Sequence, residues 1–261
     1  MGNDAGGRFI SGYDSPMLTV IGTLRSPFKE KFGTPRQGHL APGAFATLTI
    51  AERFRPEQSL IGLEGFSHVW LLSSFHLNTN KKFLPKVHPP RLKGRTVGLF
   101  ASRSPHRPSP VGLTLARLVK VEGDTLHLAG VDLIDGTPIL DVKPYIPECD
   151  AAPDASSGWT AQAPFPTLTV VCSEAAREDI AAAEARLGLK GLGSLLGEVL
   201  RHDLRNHRDR AQTKDGLELG FYLHDFEARF VVRGDTVTLV RLATGGRMHK
   251  KERRERPRSL L

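Results

Sequence analysis

The sequence has two cysteines, Cys149 and Cys172, too few for a disulfide framework or a cysteine-rich zinc site within one chain. No apolar run approaches the roughly 20 residues needed to cross a bilayer, and the first fifteen residues, which contain Gly and Asp, lack the basic-then-apolar order of a secretory leader. These absences predict a cytoplasmic protein with free thiols. No strand, glycine-rich turn and helix open the chain, which argues against a doubly wound cofactor-binding fold. The nearest match, Gly191-Leu192-Gly193, falls in a helical pattern and reads as a helix boundary. Ser194 lacks the Gly-x-Ser-x-Gly elbow of a hydrolase, and the ten histidines form neither a His-Glu-x-x-His pair nor a His/Cys set at zinc spacing. No metal is expected.

The most informative absence is of acid. Between Glu64 and Glu122 there is no Asp or Glu, while Lys81, Lys82, Lys86, Arg91, Lys93, Arg95, Arg103, Arg107, Arg117 and Lys120 all fall there. Such a stretch cannot neutralise itself locally and suits a polyanion such as RNA, whose phosphates draw Lys and Arg by counterion release. A solvated basic face balanced by carboxylates from elsewhere is the alternative. Whole-chain charge says less: the tail from Arg247 to Arg258 holds seven Lys or Arg against two Glu, and so supplies +5 of the formal +8.

With 261 residues, 39% hydrophobic and 25% charged, the chain reads as a globular protein of one large domain or two modest ones, and two are favoured. Runs rich in Val, Leu, Ile, Phe and Thr at Leu18–Leu24, Phe45–Ile50, His68–Phe75, Thr96–Ala101, Leu113–Val121, Thr125–Ile134 and Ile139–Val142 are mostly separated by Pro and Gly. They predict strands, and the lack of a long helical period before residue 150 predicts a mostly-β barrel or closed sheet. Gly123-Asp124 marks a tight hairpin turn between two of them. Pro147–Pro166 reads as a linker. A strand at Thr167–Cys172, a helix from Glu174 to about Leu187 capped by Ser173, a second helix with the stripe Leu192, Leu195, Leu196, Val199, Leu200 and Leu204, and a hairpin of Phe226–Val232 and Val237–Leu242 predict a small α+β domain. The expected division is a flexible N-terminus at 1–16, a barrel at 17–147, a linker at 148–166, the α+β domain at 167–243 and a basic tail at 244–261.

Polar loops carry the candidate chemistry. Ser26–Gln37 ends in Pro35-Arg36-Gln37, where a fixed backbone precedes a bidentate donor and an amide, a combination suited to a carboxylate or a base edge and also found in surface turns. Ala101–Pro110 holds Arg103, His106 and Arg107 among three prolines; a stiff cationic loop pre-pays entropy for binding an anion, although solvated connectors share its composition. Asp132–Tyr145 brings Asp132, Asp135, Asp141 and Lys143 around a Gly-Thr-Pro turn, and its carboxylates suit ribose hydroxyls or an ammonium, or ordinary ion pairs. His68 and His76, taken singly, read as structural.

Together SPFKEKFGTPRQ, GFSHVWLL, FASRSPHRPSPVGL and DLIDGTPILDVKPY, in this order and at these separations, resemble the TsaA-like family of tRNA (adenine-N6)-methyltransferases over about residues 18–147. LHDF at Leu223–Phe226 is similar to that family's bacterial members. The resemblance implies a β-barrel outside the usual methyltransferase folds, a homodimer, S-adenosylmethionine as cofactor, and N6-methylation of N6-threonylcarbamoyladenosine beside the anticodon of tRNA. Carried over by position, it places Pro35, Arg36, Gln37, His76, Leu77, Arg103, Leu113, Asp132, Leu133, Ile134 and Asp135 around the cofactor. Ser102 and Ser109 depart from the threonine and asparagine usual there, keeping small polar character. Asp141, Lys143 and Tyr145 follow the expected cofactor loop with three different polar chemistries, which makes them candidates for orienting the base or handling its proton. A non-catalytic RNA-binding adaptor, and a methyltransferase of the same scaffold acting on a small molecule, are the rival readings.

Overall fold

The computed structural model describes residues 18–78, 83–205 and 216–245. The expected N-terminal segment 1–16, Lys81, Lys82 and nearly all of the basic tail lie outside the described residues.

Alternating burial builds the first sheet. In β3 (His68–Ser74) Val69, Leu71 and Ser73 are buried while the residues between them are not, the period expected when one face of a strand lines a core. The same period runs through β1 (Gly22–Arg25), β2 (Phe45–Ile50) and the first half of β6 (Val111–Glu122). With β7 (Thr125–Ala129) and β8 (Thr137–Pro144) these strands close into an antiparallel barrel in the order β1-β2-β7-β6-β3-β8. Leu24, Leu48, Val69, Leu71, Ala116, Leu126, Leu128 and Ile139 fill its interior. A short α1 (Pro56–Ser59) lies between β2 and β3, and the two-residue β4 (Lys86–Val87) and β5 (Val97–Gly98) pair between β3 and β6.

The strand directions dictate where the loops go. Each strand runs antiparallel to its neighbours, so the ends of β1, β3 and β7 and the starts of β2, β6 and β8 share one mouth of the barrel. The β1–β2, β3–β6 and β7–β8 connections, which contain the three polar loops, therefore open on the same side. The Gly123-Asp124 turn and Tyr145 lie at the other end, Tyr145 donating its backbone N–H to His68 O at 3.0 Å.

The expected strand Thr96–Ala101 shrinks to β5 followed by a single turn of tight helix at Leu99–Ala101, where Pro85 and Leu99 carbonyls take the available N–H groups. Thr125–Ile134 stops at Ala129 because Gly130, at φ +71°, turns the chain out of the sheet. The expected linker carries α2 (Pro147–Asp150) and a helical turn at Gly158–Thr160.

The second sheet has the order β10-β11-β12-β9, from β9 (Thr169–Cys172), β10 (Glu218–Leu223), β11 (Phe226–Arg233) and β12 (Thr236–Thr244), with β12 and β9 parallel. The crossover from β9 runs through α3 (Glu174–Leu187) and α4 (Leu192–Arg201). Ser173 caps α3 by accepting from Ala176 N at 3.1 Å, and Gly188, at φ +62°, ends it. The stripe Leu192, Leu195, Leu196, Val199 and Leu200 buries α4. Gly191 stands at its N-cap, so Gly191-Leu192-Gly193 is a helix boundary, as expected. Among the described residues no helix is long and apolar enough to cross a membrane.

Both sheets grip the β1–β2 connection. Phe28 bridges Leu223, His224 N donates to Pro27 O at 2.6 Å, Phe32 stacks on Phe230 at 6.4 Å, and Gly43 N donates to Glu198 of α4 at 2.8 Å. The second sheet thus buttresses one wall of the barrel mouth.

Candidate active site

The three polar loops are tied to one another at the mouth. Arg103 donates to the side-chain carbonyl of Gln37, joining the β3–β6 loop to the β1–β2 loop. Asp132 accepts from Thr114 Oγ1 at 2.5 Å and from the backbone N–H of Gly38, joining the β7–β8 loop to both a barrel strand and the residue after Gln37. Gly38 is a glycine for a steric reason: a Cβ there would meet Gly130 O at 2.0 Å. Asp135 closes the remaining side. Its Oδ1 accepts from Ser26 N at 3.1 Å and its Oδ2 from Lys29 Nζ at 2.9 Å, with Arg25 at 3.9 Å.

The inner rim under these loops is polar. Ser26, Ser73, Thr114 and Thr137 are buried where the strands below them carry Leu, Ile and Ala. Ser26 Oγ donates to Leu133 O at 2.7 Å and Thr137 Oγ1 to Ile134 O at 2.6 Å, which fixes the course of Leu133 and Ile134. Ser73 is fully buried and its Oγ has no hydrogen-bond partner among the described residues. Burying an unpaired hydroxyl costs on the order of 1–3 kcal/mol, so Ser73 Oγ is a polar atom available to a partner at this rim.

Electrostatics at the mouth are mixed. Enclosure of the Asp132 carboxyl raises its pKa above the usual carboxylate range, while bonds from Thr114 and the backbone N–H groups of Asp132 and Gly38, and then the Arg103 charge, pull the other way. His106 is shifted down by burial and by Lys31, which brings the β1–β2 and β3–β6 loops together a second time. His106 Nδ1 lies 3.1 Å from Asn78 Oδ1, and Asn78 Nδ2 donates to Pro105 O at 2.9 Å, so the turn carrying His76 and Leu77 is fastened to the Pro-rich loop.

Other expected site residues lie farther out. Arg36 points away from the Gln37–Arg103 contact and donates to the carbonyls of Asp203 and Arg205 at 3.3 Å each, bracing the loop against the chain beyond α4. Leu113 faces outward and is 57% exposed, on the opposite side of its strand from Thr114. Asp141 and Lys143 form an exposed ion pair at 2.8 Å in the second half of β8, and Tyr145 packs edge-on against Trp70 at 5.8 Å and His68 at 6.4 Å. The structure brings together Gln37, Arg103 and Asp132 directly, with Pro35, Leu133, Ile134 and Asp135 in the same loops, and sets Asp141, Lys143 and Tyr145 on the outer wall. Gly38, Thr114 and Ser73 complete the mouth, and sequence reading passed over all three. Thr114 and Ser73 alternate with apolar residues in their strands, so an inward polar position in an otherwise apolar register was the available signal. Among the described residues no group of three or more His, Cys, Asp or Glu is placed to hold a metal ion.

Comparisons with known proteins agree on one relationship. Residues 23–151 match the family described as the tRNA-methyltransferase O N-terminal domain. A Pseudomonas aeruginosa protein provisionally named S-adenosylmethionine-dependent methyltransferase RcsF is 41% identical over 230 residues, covering 87% of this chain and 98% of that one. The mouse tRNA (adenine(37)-N6)-methyltransferase is 52% identical over 138 residues, which are 52% of this chain and 32% of the mouse protein, so the chain spans about a third of that relative's length. The crystal structure of TrmO from Pseudomonas aeruginosa superposes with a TM-score of 0.73 at 37% identity, over 87% of this chain and 97% of that one.

Proposed function

The chain belongs to the TrmO family of tRNA methyltransferases, and on that premise we propose that it methylates N6 of N6-threonylcarbamoyladenosine at tRNA position 37, using S-adenosylmethionine. The observation that carries the reading is the convergence of the three polar loops on one barrel mouth, through Arg103 to Gln37 and through Asp132 to Thr114 and Gly38.

The residues at the mouth fit the cofactor. Its carboxylate, ammonium and ribose hydroxyls need one cationic fork, a carboxylate and several small polar groups; Arg103, Asp132 and the rim hydroxyls supply that set, and the unpartnered Ser73 Oγ supports it. Pro35, Gln37, His76, Leu77 and the Leu133–Asp135 backbone shape the surrounding walls, and Arg36 acts from behind by bracing the Pro35–Gln37 turn against the carbonyls of Asp203 and Arg205. S-adenosylmethionine brings a methyl group on a sulfonium that is already a good leaving group. The protein's main contribution is therefore to hold the adenine nitrogen in line with that methyl, with orientation contributing more than any single base. Asp141, Lys143 and Tyr145 are the groups we assign to orienting the base and taking up the proton released from N6.

A homodimer reconciles these placements. Leu113, Leu115 and Val119 stand exposed in a row on the outer face of β6, with exposed Arg117 between the last two, and on β3 Leu72 and Trp70 pair with Leu113 and Leu115. A second copy covering this row would bury it and bring the outer-wall trio beside a neighbouring mouth. In this reading residues 17–147 form the cofactor-binding domain and residues 167–243 a supporting one, and the protein works in the cytoplasm, where tRNA is modified.

The test is incubation with labelled S-adenosylmethionine and threonylcarbamoylated tRNA. Label in the tRNA, lost when the adenosine lacks the threonylcarbamoyl group, is the expected result. Salt-sensitive tRNA binding without label would instead indicate an adaptor, and label in a small acceptor but not in tRNA would indicate a small-molecule enzyme.

A further inference from the structure

Phe100 is 76% exposed, yet the residues on both sides of it are hydrogen-bonded in place. Leu99 is buried beside it and donates its N–H to Pro85 O at 2.9 Å. Ser102 donates twice to Leu99 O, from its N–H at 3.1 Å and its hydroxyl at 2.8 Å, and Trp159 Nε1 donates to Ala101 O at 2.8 Å. A large aromatic ring is thus presented to solvent from a turn fixed on both sides. Isolated exposed apolar residues are common, but they do not require a braced turn.

The ring also has a charged companion. The Arg107 guanidinium lies 5.7 Å from its centroid, within cation–π range, and Arg107 NH1 donates to Ser102 O at 2.7 Å. Arg91 stands near Trp159 at 5.5 Å and donates to Thr160 O at 2.9 Å. Arg91 is held by the carbonyls of Thr160 and Ala163 and packs on Phe165 at 4.1 Å, whereas Arg107 donates to the neutral Ser102 carbonyl, and its own stretch from 65 to 121 supplies no carboxylate to pair with it. An exposed ring beside the Arg107 guanidinium matches single-stranded RNA, in which an unstacked base needs a π-face and its phosphate a cation.

We propose that Phe100 and Arg107 form a stacking platform for an unpaired nucleobase of the tRNA loop, next to the reacting adenosine. Arg107 holds the adjoining phosphate while Phe100 takes the face of the base. Only Ala101 and Ser102 separate Phe100 from Arg103 at the mouth, so a base stacked there lies a short step from the nucleotide in the site. The platform rests on the tRNA reading above and adds to it a residue that selects a splayed loop over a continuous helix. Ring-to-base stacking of this kind is predicted to strengthen tRNA binding by roughly 5- to 150-fold.

The test uses the full chain with Phe100→Ala and Phe100→Trp. Fluorescence anisotropy with labelled tRNA should show binding weakened within that range for Phe100→Ala and retained for Phe100→Trp. Binding of a blunt RNA duplex, S-adenosylmethionine affinity by calorimetry and the mass by light scattering should all match the parent protein. Unchanged tRNA affinity in Phe100→Ala, or equal losses for tRNA and duplex, would overturn the platform while leaving methyl transfer by the parent protein intact. A change in mass would overturn it in favour of a second copy covering Phe100. Absence of both tRNA binding and methyl transfer in the parent protein would remove the tRNA reading itself, and the platform with it.

Discussion

Replacing Gly38 by Ala adds one methyl group at the contact on which the mouth depends. The new Cβ would lie 2.0 Å from Gly130 O and 3.0 Å from Gly130 C, both backbone atoms. A relaxed carbon-to-oxygen contact is about 3.3 Å, so the β1–β2 and β7–β8 loops must part by roughly 1 Å. Gly130 cannot readily turn its carbonyl aside, because its φ of +71° is already set by the turn out of β7. The displacement would stretch the bond from Gly38 to Asp132 and move neighbouring Gln37 away from Arg103. A misplacement of about 1 Å in a positioning element costs on the order of 100-fold in rate. Gly38→Ala should therefore lower tRNA methylation by that order and weaken S-adenosylmethionine binding measured by calorimetry, while circular dichroism continues to report a folded barrel. Gly65→Ala is the control: its Cβ would meet nothing within 4 Å, and it should leave both quantities unchanged. Parent-like cofactor affinity and turnover in Gly38→Ala would refute the claim that this contact assembles the site.

Arg103→Ala should weaken cofactor binding more than tRNA binding, by at least about tenfold for loss of a charge-assisted contact; equal cofactor affinity by calorimetry would count against its placement. Asp132 has a raised pKa in the folded protein, so its contribution to stability is full below the unfolded value of 3.8 and is lost as pH rises through the folded pKa. Asp132→Asn should accordingly flatten the denaturation midpoint above pH 4 and leave the ligand-free protein no less stable at pH 7, while weakening cofactor binding. His106, His202 and His224 are all shifted down from 6.5, first by burial, so their contribution is present above that value and is lost as pH falls through their folded pKa values. The urea midpoint should drop as pH is lowered below 6.5, and His224→Gln, at the turn bound to Pro27, should reduce that drop.

Elements whose local pattern and tertiary role agree were legible. Phe45–Ile50 alternates and sits in the barrel, Glu174–Leu187 combines helix-favouring residues with a serine cap, and both have the expected bounds. Strand content failed where a tertiary contact overrode a run of β-formers. Thr96–Ala101 has the composition of a strand, but burial of Leu99 and its bonds to Pro85 and Ser102 fold it into a tight turn. Glu218–Leu223 went unread because Gly220 interrupts its short apolar run, although the strand gains a full ladder with β11. Propensity weighs single residues, whereas pairing rewards the whole strand.

The site was legible as separate loops but not as a constellation. Ser26–Gln37, Ala101–Pro110 and Asp132–Tyr145 are far apart in sequence, and only the alternation of strand direction around a closed barrel puts them on one mouth. The same geometry divides the third segment. Its first residues, Asp132–Asp135, lie in the β7–β8 loop, whereas Asp141 and Lys143 ride β8 down the outer wall and Tyr145 reaches the far end. Nine residues of extended chain span about 30 Å, so a motif continuous in sequence cannot remain one cluster in space. Any role for the outer-wall trio in the reaction must then be met from outside the barrel, by the bound tRNA or by a second subunit. The exposed row on β6 and the basic side chains of the acid-free stretch offer surfaces of those two kinds.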